Sequence, residues 1–269
     1  MNKIKGRLRI ATAQFPVSKH LTRNLDYMVK LARQAKQKRA DIVHFSETCL
    51  GGYAGCEFSD WEEYDWSLLA QLESEVPRLA KELGIHIVYG TNHRAAKNDV
   101  RNALWYVSSS GKRVARYDKR FCTTGDLDFY KSGRRFTTFD INGFKCGLMI
   151  CHDFRYPELF RAYKKRGVQV VLASFYNARA KDRGIHSIIC RPSLQGDAAS
   201  NFLYISANNS SGYYQSWPSL FILPDGTVPS TAPQHRTALL VNEISNDDEY
   251  YDASEAFRDR AMRGVLYSK

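Results

Sequence analysis

The sequence predicts an α/β fold whose sheets mix parallel and antiparallel strands. Three observations predict it. Short apolar, β-branched runs alternate with longer amphipathic stretches, and the chain opens strand–helix–strand, the order that lays strands side by side in parallel. Several later strands are joined by tight turns (SSSGK at 108–112, DINGF at 140–144, LPDGT at 223–227), which is the antiparallel connection. At 269 residues one large domain or two small ones could bury a core. No repeat, low-complexity stretch or linker divides the chain, so one domain is expected.

In chain order the expected strands are 8–15, 41–47, 85–92, 103–109, 113–119, 135–141, 144–151, 168–175, 202–209, 219–224 and 238–244, with helices near 21–39, 66–83, 157–166 and 185–200. The first helix places Leu21, Leu25, Met28, Ala32 and Ala35 at steps of three and four, leaving one apolar stripe on a basic helix. The second repeats the pattern with Leu69, Leu72, Val76, Leu79 and Leu83, and Pro77 predicts a break or a fresh start within it. Gly84 is the expected stop.

Composition narrows the class. The chain is 43% hydrophobic and 25% charged, as folded globular proteins are, so a disordered or fibrous protein does not fit. No apolar run reaches the ~20 residues of a membrane helix, and the charged start MNKIKGRLRI does not read as a signal peptide. A cytoplasmic location with six free cysteines is expected. No C-x-x-C, H-x-H or H-E-x-x-H motif occurs, and a structural zinc site is not expected. The net charge of +11 is unevenly spread: residues 1–40 hold eleven Lys/Arg against Asp26, and residues 41–82 hold ten acids against Arg78 and Lys81. Two opposed surfaces on one globule suit a solvated basic helix face better than a nucleic-acid footprint, so no nucleic-acid partner is expected.

In sheets with parallel strands, ligands collect beyond the carboxyl ends of the strands. Three expected strands end there on a reactive residue: Glu47, Lys119 and Cys151. Cys151 precedes an amphipathic helix with Pro157 near its first turn, where helix amides and a nearby cation would favour the thiolate. Cys49, Cys56, Cys122, Cys146 and Cys190 read as small buried hydrophobes. Alone, a carboxylate or an ammonium after a strand is usually solvated. Together the three supply the groups that thiol-based amide hydrolysis needs. Glu47 moves protons, Lys119 offers a fixed charge to the oxyanion, and Cys151 attacks. His152 is an alternative base, but a sequence neighbour on extended chain points away from its partner.

At these residues the sequence resembles the nitrilase superfamily of carbon–nitrogen hydrolases, with its Glu–Lys–Cys triad. FSETCLGGY (45–53) is similar to the glutamate motif, with Ser46 where the family usually has Pro, and YDKRF (117–121) to the lysine motif. GLMICHDFRYPELFRAYKKRGVQVVLASF (147–175) is similar to the cysteine motif with its helix and next strand, and 194–212 and 217–227 to later motifs. The resemblance runs from about residue 7 to 245. It implies a four-layer αββα sandwich of two mixed β-sheets flanked by helices, with residues 1–245 as the hydrolase domain. It also implies a homodimer or an assembly of dimers, with the C-terminal segment 246–269 packing on a partner subunit.

By the same resemblance Glu47 is the general base, Lys119 the oxyanion lysine and Cys151 the nucleophile. Asp126 stands where the family often has a second glutamate, although after Gly125 it also reads as a turn former. Tyr53, His152 (through its amide) and Asn177 match pocket-lining positions. Nitrilases of the family commonly carry Cys-Trp-Glu, whereas this chain has Cys151-His152-Asp153, closer to the amidase and carbamoyl-hydrolase branches. The expectation is ammonia release from a small linear amide or N-carbamoyl compound through a thioester, with no metal or cofactor and no membrane partner. A nitrile-hydrolysing member, or a catalytically silent binding or scaffold member, are the alternatives.

Overall fold

The computed structural model describes residues 6–177 and 184–268. The first half of the chain forms β1 (Arg7–Gln14), α1 (Leu21–Gln37), β2 (Ile42–Phe45), α2 (Trp66–Leu83), β3 (His86–Ala96), β4 (Asp99–Val107) and β5 (Arg113–Asp118). The second half forms β6 (Thr138–Ile141), β7 (Phe144–Ile150), a one-turn 3-10 helix (Cys151–Arg155), α3 (Pro157–Lys165), β8 (Val170–Ser174), α4 (His186–Asn201) and β9 (Tyr204–Asn208). Short strands β10 (Leu220–Ile222) and β11 (Ser230–Thr231), then β12 (Ala238–Ser245) and α5 (Glu255–Met262), complete it.

These elements make two six-stranded sheets, ordered β12-β1-β2-β3-β4-β5 and β11-β10-β9-β8-β7-β6. Each is mixed. Strands β1, β2 and β3 run parallel, as do β7, β8 and β9, and the outer strands join antiparallel. The parallel strands are linked through α1, α2, α3 and α4, and helices must cover the faces of such strands. The apolar stripe of α1 (Leu21, Leu25, Met28, Leu31, Ala32, Ala35) and that of α2 (Leu69, Leu72, Val76, Leu79) pack on the outer face of the first sheet. Leu159, Phe160 and Tyr163 of α3 and Cys190, Leu194 and Ala198 of α4 cover the second. Between the sheets lies a third core, in which Ile10, Ile42, Val88 and Leu104 face Leu148, Ile150, Val170 and Leu172. The layers are therefore αββα, as expected.

A polar seam crosses this middle layer. His44 is buried with Nδ1 2.8 Å from Ser206 Oγ and Nε2 2.8 Å from Ser174 Oγ. Ser206 continues to Thr12 at 2.7 Å, and Asn208 Nδ2 donates to the backbone oxygens of Ala13 and His44. Backbone pairing holds strands only within a sheet, and these side chains tie one sheet to the other.

Pro77 does not break α2, which runs from Trp66 to Leu83. Proline lacks the N–H that would bond the carbonyl four residues back; here the Arg113 guanidinium donates to that Glu73 carbonyl at 2.9 Å. The strand expected over 135–141 begins only at Thr138, whereas β3 extends past its expected end to Ala96. Residues 246–268 partly pack on their own chain: Tyr250 meets Tyr204 edge-on, and Arg258 donates to the Ser200 carbonyl and lies over the Phe202 ring.

Candidate active site

Glu47, Lys119 and Cys151 each lie just past a strand: Glu47 after β2, Lys119 directly after β5, Cys151 directly after β7. The two parallel triplets direct the ends of β2 and β7 toward one region. Lys119 joins them because its N–H bonds the Asn102 carbonyl at 2.8 Å, while its own carbonyl accepts from Gly133 N–H at 2.7 Å. Thr48 and Cys151 both have left-handed backbone (φ 45° and 39°). A residue with a side chain adopts that at a cost of about 1–3 kcal/mol, which the surrounding packing must offset.

Glu47 is fully buried with both oxygens engaged. Oε1 accepts from Lys119 Nζ at 2.8 Å and Asn102 Nδ2 at 2.7 Å, and Oε2 accepts from Tyr176 N–H at 2.7 Å. Burial raises its pKa above the ordinary carboxylate range, against the pull of Lys119. A raised pKa makes it a stronger base. Lys119, 1% exposed, also reaches Asp126 Oδ2 at 2.8 Å and Tyr53 Oη at 3.3 Å. Burial opposes its charge, but Glu47, Tyr53, Cys151 and Asp126 together push its pKa well up, so it is an ammonium.

Asp126 makes turn contacts and also touches Lys119. Its carboxylate accepts from Thr123 N–H at 2.9 Å and its N–H meets Thr123 Oγ1 at 3.1 Å, which is turn chemistry. The same carboxylate holds Lys119 and accepts from Tyr53 Oη at 2.5 Å. Burial would raise its pKa, yet Lys119 lowers it to about 2. Tyr53 is buried with its hydroxyl committed to these partners, and its ring stacks on Tyr176 at 4.8 Å.

Cys151 is half-buried and opens the 3-10 helix. The expected thiolate-favouring site is not found. Burial, then the charge of Glu47, raise the thiol's pKa well above its ordinary value and outweigh Lys119. The resting sulfur is a neutral thiol beside a basic carboxylate. His152 is half-buried, its ring edge-on to Tyr156; burial, Lys119 and Arg155 lower its pKa, so it is neutral. Asn177 follows Tyr176; its N–H donates to Gln215 Oε1 at 2.6 Å and its side chain pairs with the Ser216 hydroxyl. Sequence reasoning missed Asn102 and Tyr176 as partners of Glu47. The one available signal was an asparagine immediately before the apolar run of β4. Among the described residues no cluster of three His, Cys, Asp or Glu side chains is placed to hold a metal ion.

The family model for carbon–nitrogen hydrolases matches residues 9–250, and the chain belongs to that family. It is 27% identical over 176 residues to omega-amidase NIT2 of Xenopus tropicalis, a match spanning 62% of this chain and 63% of that protein. The 2-oxoglutaramate amidase of Bacillus subtilis is 25% identical over 143 residues, 52% of this chain and 54% of its own length. The chain thus spans less than two thirds of these relatives. The structure of an amidase from Nesterenkonia sp. superposes with a TM-score of 0.81 at 20% identity, covering 97% of each chain. No helix among the described residues is long and apolar enough to cross a membrane.

Proposed function

We propose that this protein hydrolyses the C–N bond of a small linear amide or N-carbamoyl compound, with Cys151 as nucleophile and release of ammonia. The observation that carries the reading is the buried Glu47–Lys119 pair, 2.8 Å apart, whose charges both act on the Cys151 thiol. Glu47 takes the thiol proton as sulfur attacks the carbonyl, because the thiol is not ionised at rest. The oxyanion forms toward Lys119, whose charge is already fixed. The intermediate collapses as Glu47 protonates the leaving nitrogen, which gives a thioester and ammonia. Glu47 then deprotonates a water that attacks the thioester, and the acid leaves with the thiol restored. Asp126 and Tyr53 hold the ammonium, while His152 (through its amide) and Asn177 border the substrate. The amidase names of the relatives agree with this chemistry.

That none of the six cysteines forms a disulfide fits a reducing cytoplasm. We also place a homodimer in this reading, with part of segment 246–269 meeting the second copy, since Tyr251, Phe257, Leu266 and Tyr267 leave large apolar areas exposed. The test is a panel of amides, ureas and nitriles assayed for ammonia. Turnover of an amide or N-carbamoyl compound is expected, with acyl mass on the Cys151 peptide after quenching and no activity in Cys151→Ala. Full activity in that variant, or an adduct on another cysteine, overturns the assignment.

A further inference from the structure

Asp153 lies two residues after Cys151, inside the 3-10 helix, and is fully buried. Three donors point at its carboxylate. Oδ1 accepts from Phe121 N–H at 2.7 Å, and Oδ2 accepts from Tyr117 Oη at 2.7 Å and Ile150 N–H at 3.1 Å. Their origins matter. Tyr117 lies two residues before Lys119 and Phe121 two residues after it, while Ile150 immediately precedes Cys151. One carboxylate therefore ties both flanks of the lysine to the residue before the cysteine.

The tie spans a boundary that strand pairing does not. β5, which delivers Lys119, is the edge of the first sheet, and β7, which delivers Cys151, belongs to the second. Apolar packing between sheets is non-directional, whereas oxyanion stabilisation depends on charge placed within a few tenths of an ångström. Burial raises the Asp153 pKa, and Phe121, Tyr117, Ile150 and Lys119 pull it back.

We propose that Asp153 is a positioning residue that fixes the Cys151 sulfur relative to the Lys119 ammonium across the two sheets. This rests on the assignment of Glu47, Lys119 and Cys151 as the machinery. Asp153→Asn offers one carbonyl oxygen to three donors and turns an amide N–H₂ toward the others. Tyr117→Phe removes one donor and leaves the backbone ties, so it tests the idea in a folded protein even where Asp153→Asn fails to fold.

Both variants are assayed for kcat and KM per reactive Cys151. They are also assayed for the pH dependence of iodoacetamide alkylation, read by mass on the Cys151 peptide. A structural role alone lowers only the folded fraction or the melting temperature. The expected result is a kcat loss of about tenfold or more in Asp153→Asn and a smaller loss in Tyr117→Phe, with KM little changed. The alkylation midpoint moves to higher pH as the ammonium moves away from the sulfur. Unchanged kcat and an unchanged midpoint in the folded variants overturn the proposal. Cys151→Ala, run alongside, separates the failures: if it is inactive, an unaffected Asp153→Asn and Tyr117→Phe sink only the positioning role, and if it is active, the machinery itself is wrong.

Discussion

Asp126 shows how much a single carboxylate changes at the residue scale. It holds Lys119 at 2.8 Å and also raises the pKa of Glu47, because two buried acids share one ammonium. Asp126→Asn keeps the turn with Thr123 but removes that charge. Turnover is expected to fall about tenfold, a barrier increase of about 1.4 kcal/mol. The pH effect has a definite direction as well. Without Asp126 the Glu47 pKa drops, and under the proposed mechanism Glu47 must be deprotonated to act as base, so the acid limb of kcat/KM should move to lower pH. A pH–rate profile checks this, and an unchanged rate and limb would reduce Asp126 to a turn residue. Glu47, Lys119 and Cys151 stand out in the sequence because each closes an expected strand on a reactive group. The sequence could not show that Tyr176 bonds Glu47 through its N–H, since a backbone contact leaves no trace in residue type. Nor could it show the raised Cys151 pKa, since burial and a facing carboxylate arise only when the strands assemble. Ser46, in place of the family's proline, has its hydroxyl buried without a partner among the described residues, and nothing in the structure explains it.

At the scale of elements, the Glu47 loop is held by how closely β3 approaches it. A Cβ built on Gly90 would stand 2.3 Å from Thr48 N, 2.5 Å from Ser46 O and 2.8 Å from Glu47 C. Backbone on three sides leaves nothing flexible to yield. Gly90→Ala must therefore push the loop outward, with a stability loss of about 1–3 kcal/mol from overpacking. Glu47 moves with the loop, so turnover should fall further than the folded fraction does. Melting temperature and kcat per folded protein measure the two losses separately; parent values for both would mean that the loop is not clamped. The elements themselves are largely legible, because continuous apolar runs mark the strands buried on both faces and a 3.6-residue period marks α1 and α2. Pro77 misleads for a tertiary reason. A proline break is a local rule, and Arg113 from a distant strand satisfies the carbonyl that the rule leaves bare.

For the whole molecule, the order of the elements predicts mixed sheets and the family resemblance predicts two of them, but neither shows the groups that lock them together. His44 reads as one polar residue in an apolar strand, and only the assembled sandwich sets it between Ser174 and Ser206. Burial lowers its pKa from 6.5 to about 3. The folded state thus keeps the ring neutral while the unfolded chain protonates it near 6.5, so between those values the unfolded state binds more protons. Stability from this group is complete above pH 6.5 and is lost as pH falls toward 3. The slope approaches 1.4 kcal/mol per pH unit, or about 2 kcal/mol between pH 6 and 4 by the same linkage. Buried carboxylates with raised pKa values, Glu47 and Asp197 among them, act in the opposite sense, so the parent's own acid profile mixes the two. The difference from His44→Gln isolates the histidine, because glutamine can bond both serines and does not titrate. Urea unfolding of both proteins at pH 6 and pH 4 should find the parent losing about 2 kcal/mol more than the variant over that interval. Equal losses would mean that His44 titrates alike in the folded and unfolded chain, and that the seam is not the dry junction its hydrogen bonds describe.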